Sequence, residues 1–288
     1  MRVINTLTYK DRLRAYAKNP LSAMLFALVS LAALLTFAVL LFLISYILLR
    51  GLPHLTPSLF EWEYTTANVS MMPAIINTVI MVATALMLAG PLGICSAIFL
   101  VEYAGNGNKL IKVVRITTET LSGIPSIVFG LFGMLFFVLA LGWGFSMLAG
   151  AFTLSIMILP LIMRTTEEAL ISVPVSYREG SFALGAGKLR TIFRIVLPAA
   201  VPGILAGVIL GIGRVVGETA ALMFTAGTIA QIAPGVMDSG RTLSVHMYVL
   251  ANEGLHVNQA SATGVVLLSI VIILNTLSGL VARKLVKS

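Results

Sequence analysis

The chain has 288 residues, of which 58 % are hydrophobic and only 10 % charged, with a formal net charge of +8. Ordinary soluble domains carry about a quarter charged residues, so this composition excludes one and leaves a polytopic, all-α membrane protein. The lone Cys95 excludes an intrachain disulfide framework or a cysteine zinc site, and the placement of the basic residues, given below, reads as topology and not as a nucleic-acid surface.

Apolar runs of about 17–25 residues mark spans, and six are expected, near 22–49, 73–100, 123–141, 146–163, 199–222 and 262–282. A basic leader with Arg2, Lys10, Arg12, Arg14 and Lys18 precedes them, suited to an anionic lipid surface. The first run is too long for a signal-peptide core and lacks a small-residue cleavage site, so it reads as a retained anchor. An outer loop with Pro53, Pro57, Trp62 and Tyr64 follows, and such aromatics sit at the headgroup level. Residues 1–70 thus form leader, first span and outer loop, and 71–285 the core. Span 2 contains Gly90-Pro91, span 3 opens at Ser122-Gly123-Ile124-Pro125-Ser126, and span 4 contains Pro160. Each proline removes a backbone bond and bends its helix. Cys95, inside span 2, is expected to be buried. The turn at Gly142–Gly144 pairs spans 3 and 4 as a hairpin. Residues 223–261 form a mixed outer segment, too long for a plain turn and expected to fold on the outer face.

The charges fix the orientation. Lys109, Lys112 and Arg115, then Arg164, Arg178, Lys188, Arg190 and Arg194, then Arg283, Lys284 and Lys287 share a side with the leader. Only Arg50 and Arg241 fall opposite. The positive-inside rule puts both termini in the cytoplasm.

Segment 164–198 is a long charged interruption that cannot sit in lipid, so it docks something in water. Val175 to Leu184 has helical spacing after Pro174. Gly185-Ala186-Gly187 breaks it. Leu189 to Leu197 resumes, and Pro198 marks the entry to span 5. The stretch Gly185-Ala186-Gly187-Lys188-Leu189 is no phosphate loop, because its earlier glycine is Phe182 and its Ser/Thr is Leu189. The chain therefore supplies no ATPase. His54, His246 and His256 have no ligand spacing, and no metal site is expected.

In span 5, Gly203, Gly207, Gly211, Arg214 and Glu218 fall within about 80° of one another at 100° per residue. Small residues at this spacing allow close helix packing. Arg214 lies roughly 22 Å above the inner start of the span, within the hydrocarbon. Two readings stay open. Arg214 and Glu218, four apart, pair structurally, or Arg214 lines the substrate pathway and offers its forked donors to an oxyanion.

The spacing of Glu179, Gly185, Ile195, Leu197 and Pro198 resembles the coupling-helix loop of bacterial ABC importer permeases, with Gly180 and Ser181 in place of its usual alanines. Three further blocks are similar to the permease subunit of phosphate-specific ABC importers: Leu121 to Gly130, Arg214-Val215-Val216-Gly217-Glu218-Thr219-Ala220, and Leu243 to Tyr248. The resemblance covers roughly 70–285. It implies a type I importer fold in the bacterial inner membrane and import of inorganic phosphate by alternating access. It implies a second, different permease subunit, two copies of an ATPase that holds the ATP and Mg, and an extracytoplasmic phosphate-binding protein. This chain would then be non-catalytic and hold no cofactor. Arg178, Glu179, Gly180, Ser181 and Gly185 would couple it to the ATPase, and Arg214 and Glu218 would line the pathway. The alternatives are a permease for molybdate, sulfate or phosphonate, or a stand-alone secondary transporter. The last would need its own ion-coupling site, and apart from Glu218 the spans offer almost no acidic residue.

Overall fold

Every regular element among the described residues, 20–104 and 109–287 of the computed structural model, is helical. The basic leader lies outside these residues. The chain divides into two units, 1–50 and 51–288. In the first, helix α1 (Pro20–Gly51) is apolar all round, with Leu28, Leu34, Leu40 and Phe42 exposed on different sides of it. A helix with no polar face is a lipid-facing span. Near its end the Arg50 guanidinium lies 5.4 Å from the centre of the Tyr46 ring, a pairing suited to the headgroup level.

The second unit begins with two short 3-10 turns (Leu52–His54, Pro57–Phe60) and helix α2 (Met72–Ile98), extended by a π-helical stretch Phe99–Tyr103. Helix α3 (Lys109–Ser122) then meets α4 (Ser126–Gly133), itself prolonged as a π stretch Met134–Ala140. The two axes bend by 102°. Gly123-Ile124-Pro125 makes the corner, since proline holds itself and its predecessor out of the helix. Residues 126–140 reach only about 22 Å, short of a hydrocarbon core of about 30 Å. The third of the six expected spans is thus half of a bent pair. Among the described residues five helices are long and apolar enough to cross a membrane, or six if the pair counts as one.

Helix α5 (Met147–Ile171) continues well past residue 163, so Arg164, Glu167 and Glu168 are helical and not loop. Its first turn is closed by partners from the 223–261 segment. The Ser146 hydroxyl accepts from Ala149 N, while Met147 N and Leu148 N donate to the carbonyls of Asp238 and Val236 at 2.9 and 2.8 Å. Then come α6 (Val175–Ala183), α7 (Lys188–Thr191), a π stretch Ile192–Val196 and α8 (Leu197–Gly217). Residue Leu197 donates to Ile192 O, so the register widens by one residue just before Pro198, which has no N–H to give. The fifth span therefore ends at Gly217, five residues earlier than expected. Short α9 (Ala220–Met223), α10 (Leu243–Glu253) and the long α11 (Val257–Lys287) complete the chain.

Helices α2, α5 and α8 form the centre. Met81, Ala85, Leu154, Ile158, Ile162 and Val215 are buried there. Lipid supplies no hydrophobic drive between spans, so close contact must come from small residues. A Cβ on Gly93 would lie 2.9 Å from the Ile162 side chain. Cys95, expected to be buried, is exposed on the face of α2 turned away from this core.

Candidate functional site

The polar segment folds as a helical reversal. Helix α6 ends with Ala186 N donating to Ser181 O and Gly185 N donating to Phe182 O, at 3.1 and 2.9 Å. This paired closure requires a left-handed residue at Gly185, whose φ is +79°. Its outer surface is apolar and bare: Leu184 is 91 % exposed, with Val175, Tyr177, Phe182, Leu189 and Phe193 also exposed. A cluster of this kind in water marks a protein contact. Glu179, Gly180 and Gly185 lie exposed on that surface. Arg178 and Ser181, expected among the docking residues, do not. The Ser181 hydroxyl is buried against Thr191 Oγ1 at 2.8 Å. Arg178 turns inward to Glu102, donating from Nε and Nη2 to the same Oε1 at 3.0 and 2.8 Å.

The glycine stripe of α8 faces antiparallel α5. A Cβ at Gly203 would lie 2.6 Å from Ala169 Cβ, and one at Gly207 would lie 2.6 Å from Thr165 Cβ. Gly211 is looser, with Ile162 at 3.7 Å. Arg214 continues the same face and lines an opening of about 390 Å³ with Ser122, Met157, Leu161, Arg164, Thr165 and Glu168. It is exposed, and among the described residues no carboxylate pairs with it. The i,i+4 pair with Glu218 is therefore absent. Helix α8 stops at Gly217, and Glu218 takes extended backbone (φ −76°, ψ 126°). Helical side chains lean toward the N-terminus, which carries Arg214 toward Thr165 and away from Glu218. Glu218 is buried and serves as a cap, its Oε1 accepting from Ala221 N at 3.2 Å.

Three blocks far apart in sequence converge here. A Cβ on Gly130 would lie 2.7 Å from Ala221 Cα, so α4 meets α9 backbone to backbone. The Ser244 hydroxyl of α10 donates to Glu218 O at 2.5 Å. Ser122, at the α3–α4 corner, and Arg214 share the opening.

Comparison with known proteins identifies this arrangement. Residues 89–288 match the family described as the binding-protein-dependent transport system inner membrane component. The chain belongs to this family. It is a permease subunit of an ABC importer, and as such non-catalytic, with the ATPase a separate subunit. The permease is 34 % identical over 245 residues to the probable ABC transporter permease protein YqgI of Bacillus subtilis, covering 78 % of this chain and 81 % of that one. It is 36 % identical over 234 residues to the phosphate transport system permease protein PstA of Mycobacterium leprae, covering 78 % and 74 %. Among solved structures, a chain of a bacterial alginate ABC transporter in complex with an alginate-bound periplasmic protein superimposes with a TM-score of 0.68. The match covers 96 % of the permease and 99 % of that chain at 17 % identity, a likeness of fold.

Sequence reasoning missed several residues that the permease brings to these sites. Arg164, Thr165 and Glu168 fell in what looked like a solvated inner connection, and only the longer α5 carries them to Arg214. Arg164 Nε holds Glu168 at 3.2 Å, and Arg115 holds Glu167 at 2.5 Å. At the start of α2 Asn77 is fully buried. Its amide donates to Gln231 O and Arg241 O and accepts from Ala233 N, tying the 227–242 loop to α2. A lone asparagine in an apolar span was the available signal. Arg241 is buried 4.7 Å from the centre of the Tyr64 ring, and its Nε and Nη2 find no hydrogen-bond partner among the described residues. Beside it His246 is wholly buried. Burial, helped by the Arg241 charge and opposed by the Val69 backbone, pushes its pKa down to about 3.

Proposed function

We propose that this permease carries inorganic phosphate inward through the Arg214 opening by alternating access, driven by an ATPase that docks on the exposed face of α6. The observation that carries the reading is an arginine within a membrane helix, with no carboxylate partner among the described residues, and open to a space that Ser122, Arg164, Thr165 and Glu168 also line. Ionisable residues at such positions mark substrate routes. The guanidinium fork matches two phosphate oxygens, and the hydroxyls of Ser122 and Thr165 line the same space. Glu168, also at the opening, supplies repulsion that favours release. The name of the Mycobacterium leprae relative supports phosphate as the anion.

The working assembly in this reading has a second permease subunit, two ATPase copies that bind the ATP and Mg, and an extracytoplasmic phosphate-binding protein. Both termini lie in the cytoplasm, which follows from the distribution of Lys and Arg. The test is uptake in vesicles holding the whole complex. Arg214→Ala should cut phosphate uptake at least about 100-fold with the complex still assembled, and Arg214→Lys should recover little of it, since an ammonium lacks the planar fork. Sulfate and molybdate serve as competitors. Phosphate uptake unchanged in Arg214→Ala would overturn the assignment, and uptake blocked by sulfate or molybdate in preference to phosphate would move it to another oxyanion. A cysteine replacing Asp238 should label with an impermeant reagent from outside. Labelling only from the inside would invert the orientation.

A further inference from the structure

We propose that the Arg178–Glu102 pair is a positioning clamp that makes α6 move as one body with the inner ends of α2 and α5. The inference rests on reading α6 as the element that receives the ATPase. It assigns to Arg178 a task inside the permease.

One guanidinium gathers three elements. Its Nε and Nη2 reach Glu102 Oε1, at the end of the π stretch that prolongs α2. Nη1 donates to Val173 O at 3.0 Å, and Nη2 also donates to Leu170 O at 3.0 Å. Those two carbonyls lie in the last turn of α5 and just beyond it, where a helix's acceptors are under-satisfied and the negative end of its dipole lies; Leu170 O otherwise takes only the short-range bonds of the closing turn. Arg178 thus closes the C-terminus of α5, binds α2 and belongs to α6. Only arginine has enough donors in a rigid fork for this.

The clamp is shielded. The Arg178 and Glu102 side chains are only 17 % and 8 % exposed, so the pair escapes most of the screening that makes surface pairs weak. Two other contacts act along the same seam. Lys188 Nζ sits 4.8 Å from the centre of the Tyr103 ring, one residue beyond Glu102. Beneath it Ala97 and Leu100 of the α2 end pack with Leu170, Val173, Val196 and Ala200 in one apolar cluster. The chain itself links α6 to α5 through Ser172-Val173-Pro174 and to α8 through α7. It gives α6 no direct link to α2. The Glu102 pair supplies that link, so a push on Leu184 and its neighbours enters the bundle at α2 and α5 as well as at α8.

The test uses the whole complex with its ATPase and binding protein in liposomes, reading uptake per ATP hydrolysed. Glu102→Gln and Arg178→Lys should each lower that ratio about tenfold while hydrolysis continues. In a Cys95→Ala background, the pair Glu102→Cys and Arg178→Cys should also be poorly coupled. A short bis-thiosulfonate bridge between the two cysteines should restore coupling, because the clamp holds throughout the cycle. A ratio unchanged in Glu102→Gln would overturn the proposal. So would a bridge that stops uptake, which would mean that α6 and α2 must part. Amide hydrogen exchange across 175–185, measured with no substrate present, should rise in Glu102→Gln. If the parent complex ignores phosphate yet Glu102→Gln still raises the exchange, the phosphate reading fails and the clamp stands. Unchanged exchange refutes the clamp whatever the substrate.

Discussion

Gly207→Ala is the perturbation that most directly tests how the Arg214 opening is built. The added Cβ would lie 2.6 Å from Thr165 Cβ, and the Thr165 hydroxyl crowds it as well. Carbon atoms rest at about 3.5 Å or more, so the carbon contact alone requires α5 and α8 to separate locally by at least about 0.9 Å, and the hydroxyl adds to this. Thr165 cannot swing aside freely, because its hydroxyl is held by Leu161 O at 2.9 Å and Ile162 O at 3.1 Å. Overpacking of this kind costs about 1–3 kcal/mol, roughly thirtyfold in an equilibrium at the middle of that range. Since Thr165 lines the opening with Arg214, the same shift displaces that wall. The expected outcome is a lower melting temperature of the solubilised complex together with reduced uptake. Gly207→Ala combined with Thr165→Gly should recover stability better than Gly207→Ala combined with Thr165→Ser, which keeps both crowding atoms. Gly213→Ala is the control. Nothing lies within 4 Å of its added Cβ, and relief of glycine's conformational freedom should stabilise it by about 0.5–1 kcal/mol. If Gly207→Ala melts and transports like the parent, the close α5–α8 contact does not set the opening.

At Gly185 the space around an added Cβ is empty and the cost lies wholly in the left-handed backbone. Gly185→Ala should destabilise the reversal by about 1–2 kcal/mol, Gly185→Val by more, and Gly185→Asn by little. Substrate-stimulated ATP hydrolysis in the complex should fall in that order with insertion intact, and full stimulation in Gly185→Val would contradict the role given to the turn. For His246 the folded pKa of about 3 lies below the unfolded value of 6.5. The neutral ring therefore contributes its full stability above pH 6.5, and that stability is lost as pH falls toward 3, by at most about 1.4 kcal/mol per pH unit. Thermal midpoints between pH 7.5 and 4.5 should fall less steeply in His246→Leu than in the parent, and equal slopes would show that His246 does not control the acid limb.

Much of this was legible one residue type at a time. The apolar runs gave the spans because a bilayer admits few alternatives to a helix of about 20 apolar residues. The 175–185 reversal was readable for the same reason in reverse: Val175 to Leu184 is too polar for lipid, and a glycine at 185 is the residue a left-handed helix end prefers. The small residues of α8 were legible as a stripe because helical periodicity alone puts Gly203, Gly207 and Arg214 on one face. What lay beyond the sequence were the partners. Spacing put Arg214 and Glu218 within reach of each other, yet the helix ends between them, and Glu218 turns to cap α9. Charge put Arg178 among residues that face water, yet Glu102, 76 positions earlier, and the carbonyls of Leu170 and Val173 at the end of α5 draw it inward. The chemistry of a side chain is local and can be read from its residue. The group that satisfies it is chosen by which helix ends meet, and only the packing of α2, α5, α6 and α8 decides that.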